Sequence, residues 1–457
     1  MRTHPNIVLL CLDSARADRF SCYGYGRPTT PCLDDFARGG CRFEQAFTPG
    51  CWTVPSHASL FTGRYPVEHG AHDRMLPETA GPTLAELLQG AGYHTVSISA
   101  NAYLGRGRGF GRGFAEVHGI WRQRPALRRG QVLGWAARRL GWADNGATAA
   151  NKVAVRQARG SARPFFLFIN YMETHSPYLR FWPAGGRFVG RRLALPQRWR
   201  MWRYHKQARE WDQLVRATPD SLHLLSDLYD EDIAYMDRRI GDLLSDLDAM
   251  RALENTLVIV TADHGEQMGE HGLVQHHLSL YDILLHVPLI VRWPNALQRG
   301  TVVSAQVQLN DIAPSIARLL GIQGMDREEE RPNVLDPGSL MDRNFPAYAQ
   351  YNLPNHVIER WGRRNASFDF APFRRNLRAI RYEGYKYISG SDGSRELYDL
   401  RADPGETQNL TSERPDKVQT LDRALSQWLE RHPPLGEETS VEADPEVEAR
   451  LRELGYL

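Results

Sequence analysis

Three residues that could hold a cation and one hydroxyl that could attack an ester define the chemistry this chain could do. Asp13 closes the apolar run "NIVLLCL", and Asp263 closes "NTLVIVTA", with His264 and Gly265 directly after it. Both runs have the length and composition of buried strands. In open α/β sheets ligands gather at the carboxyl ends of strands. Two carboxylates and an imidazole at such ends suit a divalent metal. Taken singly, Asp13 could be a turn residue, Asp263 a helix cap and His264 a satisfied polar group. The stretch "GCWTVPSHASLFTGRYP" poses the second question. Thr53 ahead of Pro55 fits a helix N-cap, and Gly63 fits the stop. A hydroxyl at a helix N-terminus also faces a position that attracts anions. On these residues alone, cap and nucleophile both stay open.

Positioning these groups requires strands separated by helices. "YHTVSISAN", "PFFLFINYME" and "VPLIVRW" read as further strands, and "PTLAELLQGAG" and "NDIAPSIARLLG" as helices. Ile233, Met236, Ile240, Leu243, Leu244 and Leu247 recur at helical spacing, so "EDIAYMDRRIGDLLSDL" is an amphipathic helix. The alternation implies an α/β fold, a large mostly parallel sheet sandwiched by helices. From about Arg378 the texture changes. "LRAIRYEGYKYISG" and "SRELYDL" look like paired strands and "RADPGETQNL" like a turn, which suggests a smaller C-terminal antiparallel-sheet subdomain. The expected division is 1–370 and 371–457. The closing "PEVEARLRELGYL" is expected as a helix or packed tail. Arg-rich segments at about 105–163 and 183–219 look like insertions. They fit either solvated surface or a wall facing an anionic substrate.

The bulk numbers bound the class. A chain of 457 residues is too long for one small core. Hydrophobic residues make up 42% and charged ones 24%, and the formal net charge is +2, so no global field points to nucleic acid. Lysine occurs only at Lys152, Lys206, Lys386 and Lys417. "NIVLLCL" is too short to span a membrane, and no small-residue cleavage site follows "MRTH". No stable membrane insertion and a cytoplasmic location are expected. Cys11, Cys22, Cys32, Cys41 and Cys51 all precede residue 52. Their odd number and spacing argue against a disulfide framework or a zinc knot.

Several segments, taken together, resemble one family. "NIVLLCLDSARADRFSCYGYGRPTTPCLDDFARGGCRFEQAF" is similar to the opening of the sulfatases, in the alkaline-phosphatase superfamily, and "PSHASLFTGRYPVEHG" to their active-site helix. "FLFINYMETHSPY", "VIVTADHGEQMGEHG", "SLYDILLHVPLIV" and "ELYDLRADPGETQNL" resemble further segments in the family's order. The resemblance implies a metal held between strand-end carboxylates and the nucleophile. It puts Asp13 in the first metal position, Ser14 where many sulfatases have a second Asp, and Asp263 and His264 in a later pair that often reads Asp-Asn. Thr53 falls at the nucleophile position. His175, in "METHSP", resembles the histidine that protonates the leaving group. His276 or His277 would contact substrate or a second metal. Arg64, His69 and Asp237 match positions read as structural.

The departures from the family matter as much. Sulfatases place a cysteine or serine at the nucleophile, followed by x-Pro-x-Arg, and oxidise it to formylglycine. This chain has "TVPSH", with His57 for the arginine. Threonine lacks the unbranched CH2 that the aldehyde requires, so no formylglycine is expected. The two sulfate-gripping lysines are missing as well. Their places fall near Asn101, which could hydrogen-bond a substrate oxygen, and near Leu278. Asp13, Thr53, Asp263 and His264 instead resemble the site of superfamily members with a threonine nucleophile, which are phosphodiesterases and phospho-group transferases.

The expectation is a metal-dependent hydrolase that cleaves a small anionic ester through Thr53, a phosphodiester or phosphonate ester ahead of a sulfate. Thr53 and His175 are the catalytic candidates, and Asn101, His57, His276 and His277 would meet the substrate. Asp13, Ser14, Thr53, Asp263 and His264 would hold one divalent ion. An all-oxygen site favours calcium or magnesium, and the imidazole shifts the balance toward manganese or zinc. Transfer to an alcohol acceptor, or a non-catalytic relative that binds an anion, are the alternatives.

Overall fold

The computed structural model describes residues 4–73, 75–122, 144–178, 187–189, 210–294, 296–325, 331–340 and 343–435. "PEVEARLRELGYL", Lys206 and much of both Arg-rich segments lie outside the described residues.

Among the described residues ten strands precede residue 309. Eight form the main sheet: β1 (Asn6–Leu12), β2 (Cys41–Phe47), β3 (His94–Ser99), β4 (Glu116–Gly119), β5 (Phe165–Tyr171), β6 (Thr256–Thr261), β9 (Leu289–Arg292) and β10 (Thr301–Gln308). Two-residue strands β7 (Gln267–Met268) and β8 (Val274–Gln275) pair with each other. The order across the main sheet is β10-β2-β9-β6-β1-β5-β3-β4. Neighbours run parallel except at β9, which is antiparallel to β2 and β6. β1 and β5 are apolar almost throughout because both faces of a central parallel strand are covered. The register sets Leu12 beside Tyr171 and Cys11 beside Thr261, so the three central strands end at one level.

Helices cover both faces. On one, α1 (Pro31–Arg38) and helix Ala147–Gly160 pack against the long helix Pro219–Ala249. Ile233, Met236, Ile240, Leu243 and Leu247 form its buried stripe, while Leu244 is only partly covered. On the other, α2 (Thr53–Thr62) packs with helices Leu84–Gly90 and Ile312–Leu320. Within the segment 105–163, β4 pairs with β3 and helix Ala147–Gly160 packs on β5, so these parts belong to the main layers. Among the described residues no helix is long and apolar enough to cross a membrane.

A second, four-stranded antiparallel sheet holds β11 (Ala347–Tyr351), β12 (Leu377–Tyr382), β13 (Tyr385–Gly390) and β14 (Arg395–Asp399) in that order. The β12–β13 hairpin turns on Glu383 and Gly384, both with positive φ (54° and 81°), as a two-residue primed turn demands. Helix Pro415–Arg431 covers this sheet with Val418, Leu421, Leu425 and Trp428. Trp428 stacks on Tyr348 at 4.3 Å.

Candidate active site

The level strand ends bring the predicted cation ligands together. Asp13, Asp263 and His264 are fully buried, and each offers a ligand atom within 4.8 Å of the others. Backbone and amide donors orient the two carboxylates. Ser14, in the left-handed region at φ 62°, donates its N–H to Asp263 Oδ1 at 3.0 Å and its hydroxyl to Asp13 Oδ1 at 3.2 Å. Asn101 Nδ2 donates to Asp13 Oδ2 at 2.8 Å, and Asn170 Nδ2 to the same oxygen at 3.3 Å. The Asn101 Oδ1 accepts from Tyr103 N, so its side chain is spent on holding the β3 loop to Asp13.

His264 Nδ1 lies 2.8 Å from Gly265 O. A proton on Nδ1 donates there and leaves Nε2 facing the carboxylates, as metal-binding imidazoles are commonly fixed. Burial opposes a charge on His264, but Asp263 and then Asp13 outweigh it and push its pKa up to about 9. Burial and the neighbouring Asp263 raise Asp13, whereas for Asp263 the imidazoles of His264 and His57 outweigh burial and hold it below the carboxylate range. Asp263 Oδ2 has no hydrogen-bond partner. Two close carboxylates, one with an oxygen unbonded in a dry site, fit a divalent cation. Gly265 makes the arrangement possible, since a Cβ there would sit 2.0 Å from Ile283 O.

Thr53 does not cap its helix. The N-cap position of α2 is Trp52, Thr53 is the first helical residue, and no side chain caps the end. The Thr53 hydroxyl instead lies 3.5 Å from His264 Nε2, fully buried. All ten residues of α2 are buried, and Gly63 ends it at φ 68°. Ser56 Oγ donates to Asp263 O at 2.5 Å, tying the first turn of α2 to the end of β6.

His57 has both ring nitrogens engaged inside the protein. Nδ1 lies 2.9 Å from Thr53 O and 3.4 Å from Asp263 Oδ2, and Nε2 lies 3.5 Å from Cys11 Sγ. Phe61 and Phe168 meet the ring edge-on. His57 therefore stands behind Thr53 and Asp263.

A row of imidazoles leads away from the carboxylates. The ring of His276 lies 4.4 Å from His264, 5.2 Å from His175 and 4.9 Å from His277. Burial lowers both His276 and His277 well below the usual histidine range. His276 Nδ1 meets Glu266 Oε1 at 3.2 Å, and burial pushes Glu266 up to about 7 against the pull of His175 and His264. Glu266, Asn170 and Trp52 escaped the sequence reading. Only the position of Glu266, two residues past His264, hinted at a role.

The residues read as structural are placed in the scaffold. Asp237 accepts from Cys32 N and Leu33 N at the start of α1, and His69 Nε2 meets Ser59 Oγ at 3.0 Å. Among the described lysines none reaches the site: Lys152 is exposed, Lys386 pairs with Asp282 and Glu406, and Lys417 with Glu383.

Comparison with known proteins bears on the family and the fold. The family model "Sulfatase" matches residues 5–322, and the model "N-sulphoglucosamine sulphohydrolase, C-terminal" matches residues 269–432. The chain is similar to the uncharacterized sulfatase YidJ of Escherichia coli (strain K12), 26% identical over 89% of this chain and 83% of that protein. It is 25% identical to a choline-sulfatase of Rhizobium meliloti (strain 1021), over 89% and 82%. Among solved structures, the phosphonate monoester hydrolase of Agrobacterium radiobacter superposes with a TM-score of 0.70 at 21% identity, covering 97% of this chain and 100% of that one.

Proposed function

The chain belongs to the sulfatase family, and from that premise we propose that it is a metal-dependent hydrolase of sulfuric or phosphoric esters. Within that class it prefers a phosphodiester or phosphonate ester and uses Thr53 as nucleophile. The observation that carries this reading is the Thr53 hydroxyl, which caps nothing and points instead at His264 beside two oriented carboxylates. Asp13, Asp263 and His264 would hold one divalent ion with Thr53, and Ser14 and Asn101 keep the carboxylates aimed. When bound, the metal lowers the pKa of a coordinated hydroxyl and offsets charge building on phosphoryl oxygens.

The chain's own residues do the rest. Thr53, its hydroxyl proton already released to solvent, forms a bond from Oγ1 to phosphorus as the bond to the leaving alcohol breaks, and His175 gives that alcohol oxygen its proton. Water then attacks phosphorus, giving a proton to His175, and Thr53 leaves again as the alkoxide. The N-terminus of α2 adds a favourable field for the anionic group. His276, with Glu266 behind it, faces the same space and would bond an ester oxygen. A diester carries a single negative charge, which suits a site with no lysine among its described residues. All five cysteines are free thiols, which supports a reducing, cytoplasmic setting.

The test is a substrate profile with trapping. Purified protein should show higher kcat/KM for an aryl phosphonate monoester or phosphodiester than for the matching aryl sulfate. A slow diester should leave phosphorus on Thr53, visible by peptide mass spectrometry. Efficient sulfate release without phospho-Thr53 would overturn the reading.

A further inference from the structure

His277 is a buried polar group that the ester chemistry leaves unused. It is 2% exposed, and neither ring nitrogen has a hydrogen-bond partner. Buried polar atoms are nearly always bonded, so an imidazole with both nitrogens unmet requires an explanation. A neutral imidazole presents one donor and one acceptor. Among the described residues four rings surround this one: His276 at 4.9 Å, Trp361 at 5.0 Å, Trp52 at 5.4 Å and Tyr351 at 6.3 Å.

The enclosure adjoins the reacting groups. Trp52 immediately precedes Thr53, and His276 lies 4.4 Å from His264. The backbone that presents the histidine pair is also unusual. Gln275 at φ 64° and Leu278 at φ 73° bracket it, both left-handed and neither a glycine. Strain of this kind persists only where the surroundings impose it, and it gathers at ligand clamps and active sites.

We infer that His277 is the recognition group for the organic part of the ester, bonding a hydroxyl or amide carried on a flat, apolar group that lies against Trp52 and Trp361. The inference rests on the ester-hydrolase reading and names the leaving alcohol: an aryl alcohol with a second hydrogen-bonding substituent. The aromatic walls supply area for a ring. The unmet nitrogens supply discrimination, because a site built to bond a substrate hydroxyl rejects the analogue that lacks it.

The probes are phenyl methylphosphonate and its three hydroxyphenyl isomers, whose leaving groups have similar intrinsic reactivity. One isomer should exceed the phenyl ester in kcat/KM by about tenfold or more. His277→Phe keeps the ring volume and removes the nitrogens, and it should bring that ratio to within about twofold of unity. His277→Gln, which keeps a donor and an acceptor, should restore part of the preference and serves if the Phe variant fails to fold. Equal kcat/KM for all four esters in the wild type would overturn the inference while the hydrolase stands. So would an equal fall for every ester in His277→Phe, which would assign His277 to the phosphoryl group. Should no ester be turned over, the hydrolase reading fails by itself. The inference is then decided by calorimetry of phenylphosphonate against the hydroxyphenylphosphonates, where equal affinities would defeat it.

Discussion

Two clusters of buried charge invite comparison. At the strand ends, Asp13 and Asp263 face each other with imidazoles and amides for company, and Asp263 Oδ2 is left unbonded. At the junction of the two sheets, Asp282 meets Lys386 Nζ at 2.7 Å and Arg381 Nε at 3.1 Å. Lys386 reaches Glu406 at 2.8 Å, and Glu406 accepts from Asp282 N at 2.5 Å. Lys386 is fully buried there. Both clusters join residues distant in sequence. The junction matches two anions, Asp282 and Glu406, with two cations, Lys386 and Arg381. The strand-end site sets its two carboxylates against imidazoles, with no lysine or arginine paired to them among the described residues, so a bound cation would supply the charge that those rings carry only when protonated. Burial of charge therefore does not mark function; the unmatched remainder does.

The contrast can be broken at either end. The largest effect should come from Thr53→Ala, which removes the proposed nucleophile and should lower kcat/KM by about 10⁴-fold or more. Its unfolding free energy should change by no more than about 1 kcal/mol, since no cap is lost. Near-normal turnover of an aryl diester by this variant would return Thr53 to the scaffold.

Next, Asp263→Asn should lower metal content and activity together, by about 100-fold or more in affinity for a lost ligand. Because the imidazoles of His264 and His57 hold Asp263 ionised in the fold, the metal-free variant should melt below metal-free wild type near neutral pH. Stoichiometric metal in the variant would dissolve the proposed site.

Lys386→Met probes the matched cluster. It strands Glu406, takes one of two cations from Asp282 and should cost about 3–5 kcal/mol of stability. Activity per folded molecule should hold, so a denaturant melt and an active-fraction assay read the two quantities apart. A loss of turnover without a loss of stability would erase the distinction between the clusters.

Metal removal gives a smaller effect of the same origin. Returning a dication to chelated protein at about 100 times its dissociation constant should add about 2.7 kcal/mol of stability. The melting temperature of Asp263→Asn should not respond. The smallest change belongs to Asn101→Ala, which keeps every ligand but frees Asp13 Oδ2 of one donor. A loss of about 10- to 100-fold in metal affinity is expected.

Legibility followed sequence distance. Asp13 and Asp263 with His264 could be placed because each closes a local apolar run, and parallel strands share the edge at which they end. Helices with a clear stripe and stop were equally plain, such as Ile312–Leu320 ending at Gly321 with φ 67°. β2 was not, because Arg42, Glu44 and Gln45 interrupt its apolar pattern. β10 shows the same difficulty at the sheet edge, where Val302 is largely exposed. Nothing local in "VPLIVRW" encodes that β9 runs against its neighbours. Asp13 for Asn101, and Cys11 and Asp263 for His57, come from the ends of other strands, so a reading along the chain saw free polar groups where the fold has bonded ones. The aromatic enclosure of His277 draws on residues near 52, 277, 351 and 361, a set that no spacing rule collects.

The register of β1 bears on synthesis. The first strand made is central in the sheet, yet its neighbours lie far downstream: the contact from Asn6 to Phe165 spans 159 residues and that from Asn6 to Thr256 spans 250. At ribosomal speeds of about 5–20 residues per second, β1 waits roughly 12–50 s for β6. Until β5 is made "NIVLLCL" is an apolar, uncharged, β-prone heptad with no lateral partner, the composition that nucleates aggregates, and until β6 one of its edges stays open. Nascent chains that end before β6 should therefore depend on chaperones for solubility, and release from that dependence should coincide with the emergence of Thr261 from the exit tunnel.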